Sequence, residues 1–272
     1  MAEHVEYVYA VVEARASLPA APAGVEDASV RMEAEGDIAA LVSSLPADAY
    51  APPTVEQRTA DLEWLGLRAR AHDRVITWAS ERVAVIPLPM FSLFRDVAGV
   101  RGMLRQRRDE LTRALTRVRG REEYGVRVFR IDYAVAGHLG ELSPRIAELE
   151  RSAAAASPGQ RYLLERKLEG ERRDEVRRVG VEIAQRVLDA LSRCAEGSVV
   201  EPIPRNSPAD AAGTAVLNAS FLVRREATEQ FRRELTGLIA EHEPRGFRFE
   251  FTGPWPPYHF AGAAAEGAGR AG

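Results

Sequence analysis

Four side chains in this sequence could in principle do chemistry: His72, His138, Glu141 and Cys194. His72 falls on an apolar stripe with Leu62, Leu65, Ala69 and Ile76, at spacings of three and four that share one helix face. An imidazole there could act as a general base or a metal ligand, or it could be a core histidine bonded to a nearby carbonyl. The second reading is favoured, because no carboxylate or second histidine stands at ligand spacing on that stripe. His138 and Glu141 lie three apart and could share a helix face, but a single His/Glu pair is a common coincidence and does not make a metal site. Cys194 ends a long helical pattern, where the helix dipole opposes a thiolate, so it reads as a small buried residue. No GxSxG, P-loop or HExxH spacing occurs. On residue chemistry alone, no catalytic residue, cofactor-binding residue or metal ligand can be nominated.

Composition narrows the classes further. The chain has 272 residues, 46% of them hydrophobic and 28% charged, as in an ordinary globular protein of one large or two small domains. A net charge of −3 gives no global electrostatic reason to expect nucleic acid or an anionic membrane as partner. One cysteine excludes an internal disulfide and any multi-cysteine zinc site. The N-terminus lacks a basic stretch followed by an apolar one, and no apolar run approaches the roughly 18 residues a membrane helix needs, so a cytoplasmic location is the expectation.

The elements that must position any site follow from periodicity. Val5 to Val12 is rich in β-branched and aromatic residues and reads as a strand. Val25–Ala34 and Asp37–Ser43 read as a hairpin turning at Glu35-Gly36. Thr54 is expected to cap one long helix through Ile76. Val83–Pro87 reads as a short strand, and Pro87–Phe94 as an apolar, proline-punctuated loop. Asp96–Arg119 reads as a single helix with a basic face (Arg101, Arg105, Arg108 and neighbours), more a solvated face than a phosphate patch. Gly120 ends it, and a domain boundary is placed near Arg121.

The second half reads strand (Glu123–Tyr133), short helix (Glu141–Arg151), long helix (Arg161–Cys194), strand (Ser198–Ile203), loop (Arg205–Gly213), strand (Thr214–Val223), helix (Arg224–His242), strand (Phe247–Thr252). The first half of the long helix alternates Arg172 and Arg173 with acids and reads as a salt-laced, solvated surface. In the last strand Phe247, Phe249 and Phe251 point one way, and Gly253 and Pro254 are expected to stop it. Trp255, Tyr258 and Phe260 then sit on a proline-rich extended run that must lie on a surface built by something else. The fold class expected is therefore α+β in two domains: residues 1–122 as an N-terminal α+β domain, residues 123–260 as a C-terminal ferredoxin-like (split βαβ) domain with extra helices, and residues 261–272 as a disordered Ala/Gly tail.

Several stretches taken together resemble the gas vesicle protein GvpF/GvpL family. Tyr7-Val-Tyr-Ala-Val-Val12 is similar to that family's first strand, Asp37–Ser43 to its second pattern, and His72-Asp-Arg-Val75 with Val85-Ile-Pro-Leu88 to its helix and proline-ended strand. Tyr162-Leu-Leu-Glu-Arg-Lys167 resembles its later helix start. Gly253-Pro-Trp-Pro-Pro-Tyr-His-Phe260 resembles its C-terminal signature and is the most specific of these. The chain departs from the pattern at Pro87–Phe94, where many members carry an Arg and a Phe-Gly-Thr-like run.

The resemblance implies a non-catalytic accessory or minor structural protein of gas vesicles. It would bind the very hydrophobic shell protein (GvpA type), and other accessory proteins, during assembly, with no cofactor. A subunit that greasy needs a partner covering apolar surface before it polymerises. Phe91 and Phe94 of the proline loop, and Trp255 and Tyr258 of the C-terminal run, are the candidate partner contacts, because aromatics hide large area with few rotamers to freeze. For Trp255 and Tyr258 the competing reading is an intramolecular latch. Two alternatives from other classes stand beside this one. One is an RNA-binding module using a ferredoxin-like sheet. The other is an enzyme built around His72 or His138.

Overall fold

Tyr7 to Val12 are all buried, so strand β1 (His4–Glu13) is covered on both faces, and that sets the first sheet. The computed structural model describes residues 4–50, 52–203 and 213–261. Strands β2 (Arg31–Glu35), β3 (Ile38–Pro46) and β4 (Ile86–Phe94) complete an antiparallel sheet in the order β2-β3-β1-β4. The hairpin of β2 and β3 turns where expected, with Gly36 at φ +65, a conformation open to glycine without a Cβ penalty. A register shift between Val8 and Ala10 lets Tyr9 and Ala10 both join the cluster on one face.

Helix α1 (Pro52–Arg58) and helix α2 (Leu62–Ser80) stand where one helix capped by Thr54 was expected. Asp61 is the reason for the break: its carboxylate accepts from the N–H groups of Glu63 and Trp64 and starts α2 afresh. Val75, Ile76 and Ala79 of α2 pack with Tyr7, Tyr9 and Leu41, while Leu62 is exposed. Helices α3 (Val97–Gln106) and α4 (Arg108–Val118) replace the single helix expected over Asp96–Arg119. Arg107, at φ −106 and ψ 13, interrupts it, and Asp96 caps α3 through the N–H of Gly99. Val100, Leu104, Leu111, Leu115 and Val118 are buried, as their spacing requires.

The expected Pro87–Phe94 loop is strand β4. It pairs with β1 at both ends, Ile86 with Val11 and Leu93 with Tyr7, but Leu88 to Phe91 stand opposite Tyr9 alone. An edge strand tolerates that bulge and its prolines, because one side of it owes no ladder bonds. Phe91 takes φ +65 there, and the Ser92 hydroxyl donates to Pro89 O at 2.7 Å to close the turn.

The chain divides into two compact units, Met1–Glu123 with Pro254–Gly272, and Tyr124–Gly253. The second sheet has the order β6-β7-β5-β8, with β5 (Arg121–Arg130), β6 (Gly197–Val200), β7 (Thr214–Arg224) and β8 (Phe247–Trp255). Helices α5 (Asp132–Gly137), α6 (Leu139–Leu142) and α7 (Pro144–Ala155) take the place of the one short helix expected over Glu141–Arg151. Ser143 starts the last of these by accepting from the N–H of Ile146. Helix α8 (Pro158–Ser192) buries the stripe its sequence advertises: Val176, Val179, Ile183, Val187 and Leu191. With helix α9 (Thr228–His242) it covers Tyr124, Val126, Val128, Leu217, Ala219, Phe221 and Phe247.

Gly253 and Pro254 do not stop the last strand, which runs on to Trp255. β8 is the sheet's edge, where a residue without an N–H is tolerated. The loop expected over Arg205–Gly213, except Gly213, and the Ala/Gly tail from residue 262 lie outside the described residues.

Candidate functional site

Two of the four aromatic candidates, Trp255 and Tyr258, stand on the C-terminal run. Pro256 and Pro257 are buried, and the Phe260 ring is 2% exposed with the Arg117 guanidinium 5.7 Å from its centroid. The Tyr258 hydroxyl donates to Asp73 of α2 at 2.5 Å. Burial first, then this carboxylate, pushes the Tyr258 phenol well above its ordinary range. Glu123, 2% exposed, accepts the His259 N–H at 3.0 Å and the Nδ1–H of the same ring at 2.6 Å. The run is thus pinned at three consecutive positions within the first unit. Trp255 remains 47% exposed and Tyr258 38%, so both present ring surface outward while the chain beneath them is fixed.

Phe91 and Phe94 are placed differently. Phe94 is 4% exposed, inside the first unit. Phe91 is half-buried, stacked on Trp64 at 5.6 Å with 8° between planes, and edge-on to Tyr7 at 6.3 Å. Arg68 covers Trp64 at 4.6 Å and pairs with Glu26, which also accepts from the Tyr50 hydroxyl at 2.8 Å. The four candidates therefore split: Phe91 and Phe94 pack within the first unit, whereas Trp255 and Tyr258 keep part of their surface outward, Tyr258 while bonded to Asp73.

His72 is 6% exposed and uses both ring nitrogens. The Tyr7 hydroxyl donates to Nδ1 at 2.9 Å, and Nε2–H donates to Leu88 O at 3.1 Å. Burial lowers its pKa to about 4, so it is neutral at physiological pH. The Tyr7 hydroxyl is in turn held by the N–H of Phe91 at 3.3 Å. The imidazole is thereby a strut that ties the β4 bulge to α2. His138 sits between α5 and α6, and its Nδ1–H donates to Ala134 O at 3.0 Å, one turn back. Glu141 turns to Arg245 instead, at 3.9 Å. Cys194 is only half-buried, and burial raises its thiol above the ordinary value. Among the described residues, no group of three His, Cys, Asp or Glu could hold a metal ion. Among the described residues, no helix is long and apolar enough to cross a membrane.

The basic face of α3 and α4 meets the acidic hairpin. Arg101 pairs with Glu33 at 3.2 Å, Arg105 with Glu35 at 2.9 Å and Arg108 with Asp37 at 2.7 Å. The run of arginines is intramolecular complement to β2 and its turn, which sequence spacing alone could not show. Asp73 and Glu123 were equally invisible beforehand. They meet their partners across 185 and 136 residues, and no local pattern marks them as anchors.

A chain of this architecture, with a pinned proline-aromatic ending, has known counterparts. The family model described as gas vesicle synthesis protein GvpL/GvpF matches residues 5–262. Gas vesicle protein L of Streptomyces sp. (strain CB03234) is 36% identical over 97% of this chain and 95% of its own length. Gas vesicle protein L1 of Halobacterium salinarum is 24% identical over 94% of this chain and 89% of its own. Two crystal structures of GvpF share the fold at 16% identity. The Microcystis aeruginosa protein matches with a TM-score of 0.64 over 94% of this chain and 98% of its own, and that of Anabaena sp. PCC7120 with 0.65 over 95% and 96%. The chain belongs to the GvpL/GvpF family of gas vesicle proteins. It resembles the L-named relatives in sequence and the GvpF structures in fold.

Proposed function

We propose that this chain is a non-catalytic accessory or minor structural protein of gas vesicles, located in the cytoplasm and on the vesicle, that binds the hydrophobic shell protein of the GvpA type and assists its assembly. The observation that carries the reading is the C-terminal run: its backbone is fixed by the Tyr258–Asp73 and His259–Glu123 bonds while Trp255 keeps nearly half its surface open. A large ring on a pre-ordered segment can bury area against an apolar subunit with little ordering cost. Tyr258 contributes the exposed part of its ring, and Phe91 a half-buried ring on the β4 bulge. Phe94 acts from within, by holding β4.

The fold reading that accompanies this is a ferredoxin-like second unit, supported by the element order strand, helices, strand, strand, helix, strand and by the sheet order β6-β7-β5-β8. Non-catalytic action is favoured by the engagement of both nitrogens of His72 and by the absorption of His138 into its own helix turn. On the second sheet, Arg127 bonds Asn218 at 3.2 Å and Arg248 bonds Glu250 at 2.8 Å, an ion-paired surface that does not favour stacked RNA bases. The test is co-expression of tagged full-length chain with the shell protein. Recovery of the shell protein with the chain, and loss of vesicles when the chain's gene is deleted, are the expected results. Intact vesicles after deletion would sink the proposal.

A further inference from the structure

The second unit carries a cleft of about 380 Å³ that none of the foregoing uses, at the small end of the roughly 300–1,000 Å³ pockets that hold ligands. Its wall is α8, which contributes Arg172, Arg173 and Arg177. Its other side is α5, with Asp132 and Tyr133, and Ala136 and Val176 form an apolar floor. Arg172 and Arg173 looked in sequence like members of a salt-laced surface. Ion pairs are present on this face, but those of Arg172 and Arg177 are loose. Arg172 reaches Glu150 only at 3.9 Å, the outer edge of an ion pair. Arg177 meets Asp174 at 3.4 Å, but that carboxylate is 85% exposed. The neighbouring Arg178 shows what a committed arginine looks like on the same helix: it bonds Glu175 at 2.5 Å and also Glu182.

The one carboxylate in the cleft is already committed. Arg130 bonds Asp132 at 2.7 Å, and its side chain lies against Gly180 of α8, where a Cβ would fall 2.9 Å from Arg130 Cδ. Asp132 therefore does little to neutralise the three guanidiniums across from it. Tyr133 is 84% exposed at the rim, the most exposed tyrosine among the described residues. An aromatic ring beside planar guanidiniums over a small apolar floor suits a carboxylate on a short aliphatic stem.

We propose that this cleft is a docking site for an acidic peptide segment of a partner protein, its carboxylates taken by Arg172, Arg173 and Arg177 and its stem by Tyr133, Ala136 and Val176. A peptide is favoured over a nucleic acid because the cleft is one short pocket rather than a basic track. The inference goes beyond the shell-protein reading and does not rest on it, since its residues are separate from Trp255 and Tyr258.

The test is fluorescence anisotropy on the full chain with fluorescein-labelled hexaglutamate, against hexaglutamine and a hexauridylate RNA carrying the same label. Hexaglutamate is expected to bind at least about tenfold more tightly than either, and more weakly as salt rises. The double variant Arg173→Gln/Arg177→Gln is expected to lose at least about tenfold and Tyr133→Ala about threefold, both with unchanged thermal melts. Arg105→Gln, whose arginine is paired with Glu35, is expected to change affinity less than about twofold. Equal binding of hexaglutamine overturns the proposal. So does an equal loss in Arg105→Gln, which would mean diffuse attraction, and so does RNA binding as tightly as the peptide. Shell-protein capture by the Arg173→Gln/Arg177→Gln variant separates this proposal from the previous one: capture should persist whether or not the peptide binds.

Discussion

Two arginine-rich helix faces in this chain have opposite fates. On α3 and α4 each of Arg101, Arg105 and Arg108 finds a carboxylate on the β2–β3 hairpin within 3.2 Å. On α8, Arg172, Arg173 and Arg177 border a cleft whose one carboxylate belongs to Arg130. In sequence the two look alike, as basic residues at helical spacing. What separates them is the tertiary neighbour: an acidic edge strand in one case, a short tyrosine-bearing helix in the other. The aromatics divide in the same way. Phe91 and Phe94 are used inside, while Trp255 and Tyr258 keep surface open on a pinned backbone. The lesson is that a polar or aromatic run becomes available to partners only where the fold has not already consumed it.

That division can be broken by experiment. Groups consumed by the fold should cost stability when removed, and open groups should cost binding alone. The largest effect is expected at Glu175, which is 3% exposed and accepts from Ser143 and Arg178. Glu175→Ala strands the buried Ser143 hydroxyl and leaves Arg178 with Glu182 alone, and should lower unfolding free energy by about 2 kcal/mol in urea titration. A loss below about 1 kcal/mol would show that the network is not satisfied as described.

His72 comes next. Its folded pKa of about 4 lies below the ordinary 6.5, so the folded chain disfavours the proton that the unfolded chain accepts. Stability is fully present above about pH 6.5 and is lost as pH falls toward 4. Between pH 7 and pH 5 the term is about 2 kcal/mol, and His72→Gln should remove that part of the slope. Glu175 follows in a lower window. The Arg178 hydrogen bond, foremost, holds its carboxyl below the ordinary range, so its contribution survives until pH falls below the usual carboxylate values. An unchanged slope in His72→Gln would remove the imidazole from the interior account.

Smaller effects sharpen the arginine comparison itself. Glu33 accepts from Arg31 at 3.0 Å and Arg101 at 3.2 Å, and Glu33→Lys should cost about 1 kcal/mol in a thermal melt. Arg173→Glu should stay within about 0.5 kcal/mol of the parent. Equal losses at the two positions would erase the distinction.

Much of this was legible in the sequence where period and burial agree. The α8 stripe from Val176 to Leu191, the β1 run of Tyr7 to Val12 and the Gly36 turn all follow from local spacing. Local rules misled where the sheet context decides. Prolines in β4 and at Pro254 read as breakers, yet both strands are sheet edges that owe no bonds on one side. The breaks at Asp61 and Arg107 were hidden because helical periodicity continues across them. The candidate residues were legible as aromatics, but their roles were not. Phe91 is set by a stack on Trp64, and Tyr258 by Asp73, and neither partner shares a local pattern with it.

The most direct measurement of the central claim compares parent chain and Trp255→Ala in co-purification with the shell protein, each with a thermal melt alongside. Trp255 is 47% exposed, so the variant should melt within a few degrees of the parent. Capture of the shell protein by the parent and its loss in the variant is the predicted outcome. Capture that is undiminished in the variant, or absent from both, would contradict it.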